Sequence, residues 1–219
     1  WLEYLGLGRV DGVLADLGVS SHQLDEPDRG FAYKYDSVLD MRMNPEAEQS
    51  VSQLINEATA EELQAMFSEY GEIRNAKTLA ESIVGQRSGK GAYQVRDLNQ
   101  MIDACVRGNR FRYYAQVYQS LRIKVNDEMG ALDDFLTALN DWVKPGGRLV
   151  VLSYHSLEDR KVKQLIKKGD PNGVIQEDAF GTKIKKWREV IKGVKLANKQ
   201  EIEHNKRARS AKLRIAEKI

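Results

Sequence analysis

A short apolar run that ends on an acidic residue is the feature that most constrains the fold of this chain. Residues 10–17 follow glycines and hold too few apolar positions for a helix, so the run predicts a buried strand. The strand ends at Asp16 and opens into a Gly/Ser loop, residues 18–21. Open α/β sheets bind ligands at the carboxyl ends of their strands. We therefore predict that Asp16 lies at the edge of a ligand site.

A second apolar strand is predicted at residues 148–153. It follows a helical pattern at residues 111–143 and a Pro-Gly-Gly turn, which together are typical of a helix leading into a strand of a parallel sheet. Ser156 is expected to cap the next helix, with Glu158 and Asp159 in its first turn. Residues 211–216 alternate like a half-exposed strand. These patterns predict an α/β fold.

Four further segments have helical spacing of apolar residues. They cover residues 51–55, 60–70, 75–86 and 95–106, and Gly71 is a plausible helix stop. With 219 residues, the chain is long enough for one core and an appended subdomain. We predict an α/β core formed by residues 1–45 and 109–219, with an all-helical insertion at residues 46–108.

Composition argues against several classes of protein. No window approaches the roughly 20 apolar residues of a membrane span. The first residues, from Trp1 to Tyr4, lack the basic start and apolar centre of a signal peptide, and Cys105 is the single cysteine, so we expect a cytoplasmic protein. Three scattered histidines and one cysteine have no metal-ligand spacing, so we predict no metal site. The Gly/Ser loop also lacks the nucleophile-elbow pattern of serine hydrolases.

Charge is distributed unevenly along the chain. Residues 1–159 contain 16 Lys and Arg against 25 Asp and Glu, whereas residues 160–219 contain 18 against 7. Clustered Lys and Arg attract polyanions through phosphate contacts, which makes nucleic acid the natural partner. The alternative for such a segment is an ordinary solvated surface.

Four sequence blocks together resemble a known family. They are ADLGVSSHQLDEPDRGFAY at residues 15–33, SLRIKVNDEMGAL at 120–132, LVVLSYHSLEDRKVK at 149–163 and RARSAKLRIAEK at 207–218. In this order they are similar to the bacterial ribosomal RNA small-subunit methyltransferase H family, also called MraW. The resemblance implies a Rossmann-like class I methyltransferase sheet that uses S-adenosylmethionine. The family methylates the N4 amine of a cytidine in 16S ribosomal RNA, cytidine 1402.

One departure from the family pattern is also apparent. Family members begin with a Gly-rich loop and a second strand whose acid grips the cofactor ribose, and neither is found in the sequence that starts at Trp1. We therefore expect a member without its amino-terminal cofactor half. A non-catalytic RNA-binding module is the alternative. Methylation of DNA bases or of another amine is a third, minor reading.

The resemblance also suggests residues of the site. It implies that Asp16 and Gln23 contact S-adenosylmethionine, although Asp16 capping the following turn is the structural alternative. By position after the strand, Asp16 with Ser20 or Ser21 could accept hydrogen bonds from the amine. His155 is a candidate to accept a proton, although a lone histidine is more often structural.

The RNA substrate needs its own contacts, since a target base must be unstacked from its neighbours before it can react. Phe31, Tyr33, Tyr35 and Tyr154 are candidates for stacking on it, with ordinary packing as the favoured alternative for each. Small-subunit ribosomal RNA is the expected partner, with no membrane partner, and a homodimer is left open. The candidates for phosphate contacts are Arg112, Arg122, Lys124, Arg207, Arg209, Lys212 and Arg214.

Overall fold

A computed structural model describes residues 2–89 and 91–219. These residues form a mixed α/β structure, as predicted. The strands are β1 Val10–Asp16, β2 Val143–Ser153, β3 Trp187–Glu189, β4 Lys195–Leu196 and β5 Lys212–Lys218. The helices are α1 Ser21–Asp25, α2 Val51–Glu57, α3 Ala60–Gly71, α4 Ala76–Gln86, α5 Val95–Asp103, α6 Arg110–Val125, α7 Glu128–Trp142, α8 Ser156–Lys168 and α9 Lys199–His204, with short 3-10 helices at Pro27–Arg29 and Lys206–Ser210.

The chain divides into two compact units. The sheet unit consists of residues 1–18 and 129–219, and the helical unit consists of residues 19–128. The predicted domains, with boundaries at residues 45/46 and 108/109, describe a different division and stay a prediction. Among the described residues, no helix is both long and apolar enough to cross a membrane.

The sheet unit is built around a mixed sheet with the order β1-β2-β5-β3, in which β4 also pairs with β5. β1 runs parallel to β2, and Asp16 pairs with Leu152. β5 is antiparallel to β2, β3 and β4. Because β1 and β2 are parallel, their carboxyl ends lie at the same edge of the sheet.

β2 starts earlier than predicted and includes the Pro-Gly-Gly turn. Its pairing with β1 jumps from Val10 opposite Val143 to Gly12 opposite Arg148, which leaves a bulge between them. A Cβ atom on Gly147 would lie 2.6 Å from Val143 Cγ1, so only glycine fits in this bulge. The turn predicted from Pro-Gly-Gly is therefore accommodated inside a strand.

The prediction that β1 is buried is wrong. All of its side chains are exposed or half-buried, and Leu14 has 72% of its surface exposed. Among the described residues β1 pairs with β2 alone, which leaves it at the edge of the sheet. On β2, by contrast, Leu149 and Val151 are fully buried.

The helical unit has a continuous apolar core to which α2 to α6 contribute. α3 ends at Gly71, as predicted, but the residue in the left-handed conformation is the following one, Glu72, with φ 50°. A Cβ atom on Gly71 would lie 2.4 Å from Ser120 Oγ, so the glycine allows α3 to pack closely against α6. The fully buried core side chains include Ile55, Leu63, Phe67, Leu79, Ile83, Leu98, Ile102 and Leu121.

Candidate active site

The parallel pairing of β1 with β2 places an acid and a tyrosine together at the carboxyl edge of the sheet. β1 ends at Asp16, and Tyr154 directly follows the end of β2. The Tyr154 hydroxyl donates a hydrogen bond to Asp16 Oδ1 over 2.7 Å. The predicted position of Asp16 at this edge is therefore observed, in contact with a second residue that the sequence singled out.

The Tyr154 hydroxyl is the donor in this hydrogen bond at neutral pH. Burial, and then the hydrogen bond to the Asp16 carboxylate, raise the pKa of Tyr154 to about 12. A phenol is already protonated at neutral pH, and the raised pKa extends the range over which Tyr154 acts as a donor to more alkaline pH. Asp16 itself is exposed, and a carboxylate has acceptor sites on both oxygens, so the bond to Tyr154 leaves it capacity for an outside donor.

The segment after β2 is shaped by Glu158, a buried acid in the first turn of α8. Its Oε2 accepts the backbone N–H groups of Tyr154, over 2.8 Å, and of His155, over 3.2 Å. Burial raises the pKa of the Glu158 carboxyl. The His155 side chain, through its hydrogen bond and its charge, and the two backbone hydrogen bonds lower this pKa by more, so the net shift is downward. Glu158 is therefore an ionised anchor for the backbone next to Asp16.

His155, not Ser156, caps α8. The imidazole Nδ1 of His155 accepts the backbone N–H of Glu158, and Ser156 is the first helical residue. His155 Nε2 lies 3.1 Å from Glu158 Oε1, which is within ion-pair distance. The cap is thus one residue earlier than predicted, because the histidine and glutamate form a reciprocal capping box. The prediction of a catalytic role for His155 stays a prediction, beside this observed structural role.

Asp159 ties the start of α8 to β5. Its two carboxylate oxygens accept hydrogen bonds from Arg214 Nε, over 2.7 Å, and Arg214 Nη2, over 3.0 Å. Arg214 is only 7% exposed. A buried guanidinium committed to a bidentate ion pair does not fit a phosphate contact, so we correct this prediction and leave Arg214 out of the RNA surface.

Ser20, Ser21 and Gln23 lie at the first helix of the helical unit. Ser20 caps α1: its hydroxyl accepts the backbone N–H of Gln23, and Gln23 Oε1 accepts the backbone N–H of Ser20 over 2.9 Å. Ser21 is the exposed first residue of the helix. The capping box uses the oxygen of the Gln23 amide and leaves its NH₂ group out. The contacts predicted for these residues with cofactor and amine stay predictions.

Two of the four aromatic candidates for base stacking are used for packing inside the helical unit. Phe31 is buried in the core. Tyr33 packs against Tyr114 and Tyr118, with ring centroids 5.6 and 5.8 Å apart. The packing alternative is thus observed for Phe31 and Tyr33. Tyr35, which is half-buried, has the Lys34 ammonium 4.5 Å from its ring centre.

The basic candidates divide into committed and exposed groups. Arg122 is largely buried and donates two hydrogen bonds to the Glu128 carboxylate, so it fits a phosphate contact no better than Arg214. Lys212 is half-buried. The exposed members are Arg112, Lys124, Arg207 and Arg209.

A groove of about 490 Å³ opens in the helical unit. Its size alone makes it a candidate ligand site. Lys124 is the only sequence-predicted site residue in its lining. We place the chemistry at Asp16 instead, because Asp16 lies at the carboxyl edge of the sheet, where open α/β sheets bind ligands. The lining is Gln49, Leu54, Glu57, Ala58, Glu62, Leu63, Ala65, Met66, Glu69, Tyr70 and Lys124.

Sequence reasoning missed the roles of Glu158 and Asp159. It read both as acids favoured in the first turn of a helix, which is correct but incomplete. The structure uses Glu158 to fix the backbone of Tyr154 and Asp159 to bind Arg214. The available signal was the pair itself: two successive acids, Glu158 and Asp159, in the first turn of the helix that follows the predicted strand.

The amino-acid sequence was compared with protein families and with known proteins. The sequence matches the MraW methylase family over residues 2–219. It is 44% identical to the ribosomal RNA small subunit methyltransferase H of Cytophaga hutchinsonii, over 100% of this chain and 73% of that protein. Proteins of the same name from Parabacteroides distasonis and Flavobacterium psychrophilum are 45% and 43% identical, again over 100% of this chain and over 72% and 75% of those proteins.

These matches extend over both units of the structure and include the segments around Asp16 and Tyr154. The mixed α/β architecture agrees with the Rossmann-like methyltransferase fold expected from the sequence. The chain belongs to the MraW methylase family.

Proposed function

We propose that this protein is an S-adenosylmethionine-dependent methyltransferase that modifies the N4 amine of a cytidine in 16S ribosomal RNA, cytidine 1402 in the family. The observation that supports it most strongly is the pairing of Asp16 with Tyr154 at the carboxyl edge of two parallel strands. Ligands of open α/β sheets bind at this edge. The names of the relatives, all ribosomal RNA small-subunit methyltransferases, supply the reaction class and substrate.

The residues at this edge suit a cationic methyl donor. S-adenosylmethionine supplies a methyl group on a positively charged sulfur and also bears an ammonium group. The exposed Asp16 carboxylate is the matching charge, and it retains acceptor capacity beyond its bond to Tyr154. Gln23, whose amide NH₂ group is not used in its capping box, would add a polar contact.

The chemistry demands positioning more than strong acid–base catalysis. The N4 lone pair of cytosine is delocalised into the ring, so the amine must be oriented toward the methyl group. Asp16, with Ser20 or Ser21, would accept hydrogen bonds from the amine and hold it in place. Tyr154, which keeps its proton at neutral pH, would fix the Asp16 side chain. Glu158 in turn fixes the Tyr154 backbone.

The RNA contacts come from the basic surface. The exposed arginines Arg207 and Arg209 lie in the strongly basic region after residue 159, whereas Arg112 and Lys124 are exposed on the helical unit. Side chains of this kind bind phosphates without reading sequence. The substrate is therefore expected to bind with a marked dependence on salt.

A methyl-transfer assay tests the proposal. The purified protein is incubated with S-adenosylmethionine labelled in the methyl group and with 16S RNA, small subunits or partly assembled subunits. We expect label in the RNA and N4-methylcytidine in its nucleoside digest. Absence of transfer to every one of these substrates would contradict the proposal. Calorimetry with each ligand then separates the non-catalytic alternative, which predicts heat with RNA and none with S-adenosylmethionine.

A further inference from the structure

A phenylalanine at the tip of a tight turn in the sheet unit is the most exposed of the large hydrophobic side chains in the described part of the chain. Phe180 has 93% of its surface accessible. A single exposed apolar residue is common on protein surfaces and needs no explanation by itself. Two further features, the order of the turn and its charge, distinguish Phe180.

The turn that presents Phe180 is held by a dense set of hydrogen bonds. Asp178 Oδ1 accepts the backbone N–H groups of Phe180, over 2.8 Å, and of Thr182, over 2.9 Å. The Asp178 N–H bonds to Thr182 O, and Ile184 N–H bonds to Gln176 O. These backbone bonds from Thr182 and Phe180 lower the pKa of the Asp178 carboxyl, so it stays ionised at neutral pH.

Gly181 completes the turn in the left-handed conformation, with φ 77°, and donates its N–H to Asp178 O. The backbone on both sides of Phe180 is therefore fixed before any partner binds. A side chain presented on a rigid turn loses little conformational entropy on binding, which favours a contact role.

The segment around the turn is basic. Residues 167–195 contain eight Lys and Arg against four Asp and Glu. Lys183 pairs through a β-bridge with Glu177, directly across the turn from it, and both Lys183 and Lys185 are exposed. An aromatic ring set among exposed cations is the combination that single-stranded RNA-binding surfaces use, with rings for bases and lysines for phosphates.

We propose that Phe180 stacks on an unpaired base of the RNA substrate, while Lys183 and Lys185 contact the adjacent phosphates. The inference rests on the proposed function and deepens it, since it adds a second point of RNA contact. The sequence had assigned stacking to other aromatics, of which Phe31 and Tyr33 are packed within the helical unit. Other apolar side chains of this segment, such as Val174 and Ile184, are also exposed, but Phe180 is the aromatic one among them, and the exposed lysines beside its ring favour RNA over an apolar protein partner.

Three substitutions at one position test the stacking. RNA affinity is measured by fluorescence anisotropy with a short single-stranded RNA, and with the same sequence closed into a duplex. Phe180→Ala should weaken binding of the single strand by about 5- to 150-fold, the range of one base–aromatic stack. Phe180→Trp, which keeps an aromatic ring, should bind the single strand about as tightly as the wild type does. Phe180→Leu, which keeps an apolar side chain without a π face, should behave like alanine.

Matched controls separate stacking from charge and from general surface effects. Val194→Ala removes another exposed apolar side chain of the same basic segment and should leave affinity unchanged. The Lys183→Ala, Lys185→Ala double variant should reduce the slope of log affinity against log salt by about 0.7 for each lost phosphate contact, whereas Phe180→Ala should leave the slope unchanged. Because all these side chains are exposed, the circular dichroism spectra and melting temperatures should match that of the wild type.

The outcomes identify which statement fails. If the wild-type protein binds RNA and Phe180→Ala binds it equally well, the stacking inference is wrong and the proposed function is untouched. The same conclusion follows if Phe180→Leu binds RNA as tightly as Phe180→Trp does. If the wild-type protein binds neither the single strand nor small subunits, the proposed function itself fails and the inference fails with it.

Discussion

The helical unit and the sheet unit use their residues in different ways. In the helical unit, side chains such as Phe67 and Leu63 are fully buried in one apolar core. In the sheet unit, the side chains of strand β1 are exposed or half-buried, and polar contacts such as that of Tyr154 with Asp16 hold the end of the strand. Stability in the helical unit thus depends on packing, whereas the geometry of the candidate site depends on a few hydrogen bonds and ion pairs. Substitutions should separate the two.

The largest effect is expected in the helical core. Phe67→Ala removes a fully buried ring from α3 and should reduce the free energy of unfolding by about 3–5 kcal/mol, through lost burial and the cavity that remains. Urea denaturation followed by circular dichroism measures it. The control is Leu14→Ala on the exposed β1, which should change stability by less than about 1 kcal/mol. A similar loss for both variants would contradict the contrast between the units.

The next effect is expected at the ion pair between α8 and β5. Arg214→Met leaves Asp159 without its partner, and breaking a buried pair from one side costs about 3 kcal/mol or more. The matched control is Lys144→Met, which removes an exposed pair with Asp11 on the same sheet and should cost no more than about 1 kcal/mol. A double-mutant cycle with Asp159→Asn measures the coupling. If Arg214→Met and Lys144→Met lower the free energy of unfolding by the same amount, burial of the ion pair is unimportant.

A smaller, pH-dependent effect is expected at Glu158. Its pKa is lowered in the folded protein, so the stability that it contributes is present above its ordinary value of 4.5 and is lost as the pH falls below it. Glu158→Gln should cost about 1–3 kcal/mol at pH 7, because the hydrogen bonds to a charged acceptor are weakened. The difference between variant and wild type should shrink toward pH 3. Urea titrations at several pH values check this, and a difference that is independent of pH would contradict it.

The smallest change is a shift in one titration. Asp16→Asn removes the carboxylate that accepts the Tyr154 hydrogen bond, so the pKa of Tyr154 should fall from about 12 toward its ordinary value of 10. NMR of protein labelled at the tyrosine ring carbons follows it, with Tyr154→Phe to assign the signal. An unchanged pKa in Asp16→Asn would show that burial alone sets it and that the contact is absent in solution.

Local patterns in the sequence predicted much of the fold. The position of β1, its end at Asp16 and the helices of the helical unit follow from runs and spacings of apolar residues. The burial of β1 was wrong because burial depends on neighbouring strands and layers, which a local pattern does not contain. The N-cap of α8 was predicted one residue too late, because the side chain of His155 takes the capping role that serine more often has.

Local sequence patterns do not predict contacts between residues that are far apart in the chain. Asp159 binds Arg214, which is 55 residues away, and the contact depends on the register of β5 against β2. The same holds for Tyr154 and Asp16, which are 138 residues apart and meet because their strands are parallel neighbours. The sequence identified three of these four residues as candidates, although not the pairs that they form.

The most direct test compares two aspartates of the same strand. Asp16→Asn changes the proposed site, whereas Asp11→Asn changes an exposed aspartate that pairs with Lys144. Calorimetry with S-adenosylmethionine and methyl transfer to small-subunit RNA are measured for both. The account predicts that Asp16→Asn lowers cofactor affinity or turnover by about 10- to 100-fold, the loss expected from one hydrogen bond to a charged group, while Asp11→Asn matches the wild type. Equal activity of the two variants would contradict the placement of the active site at Asp16.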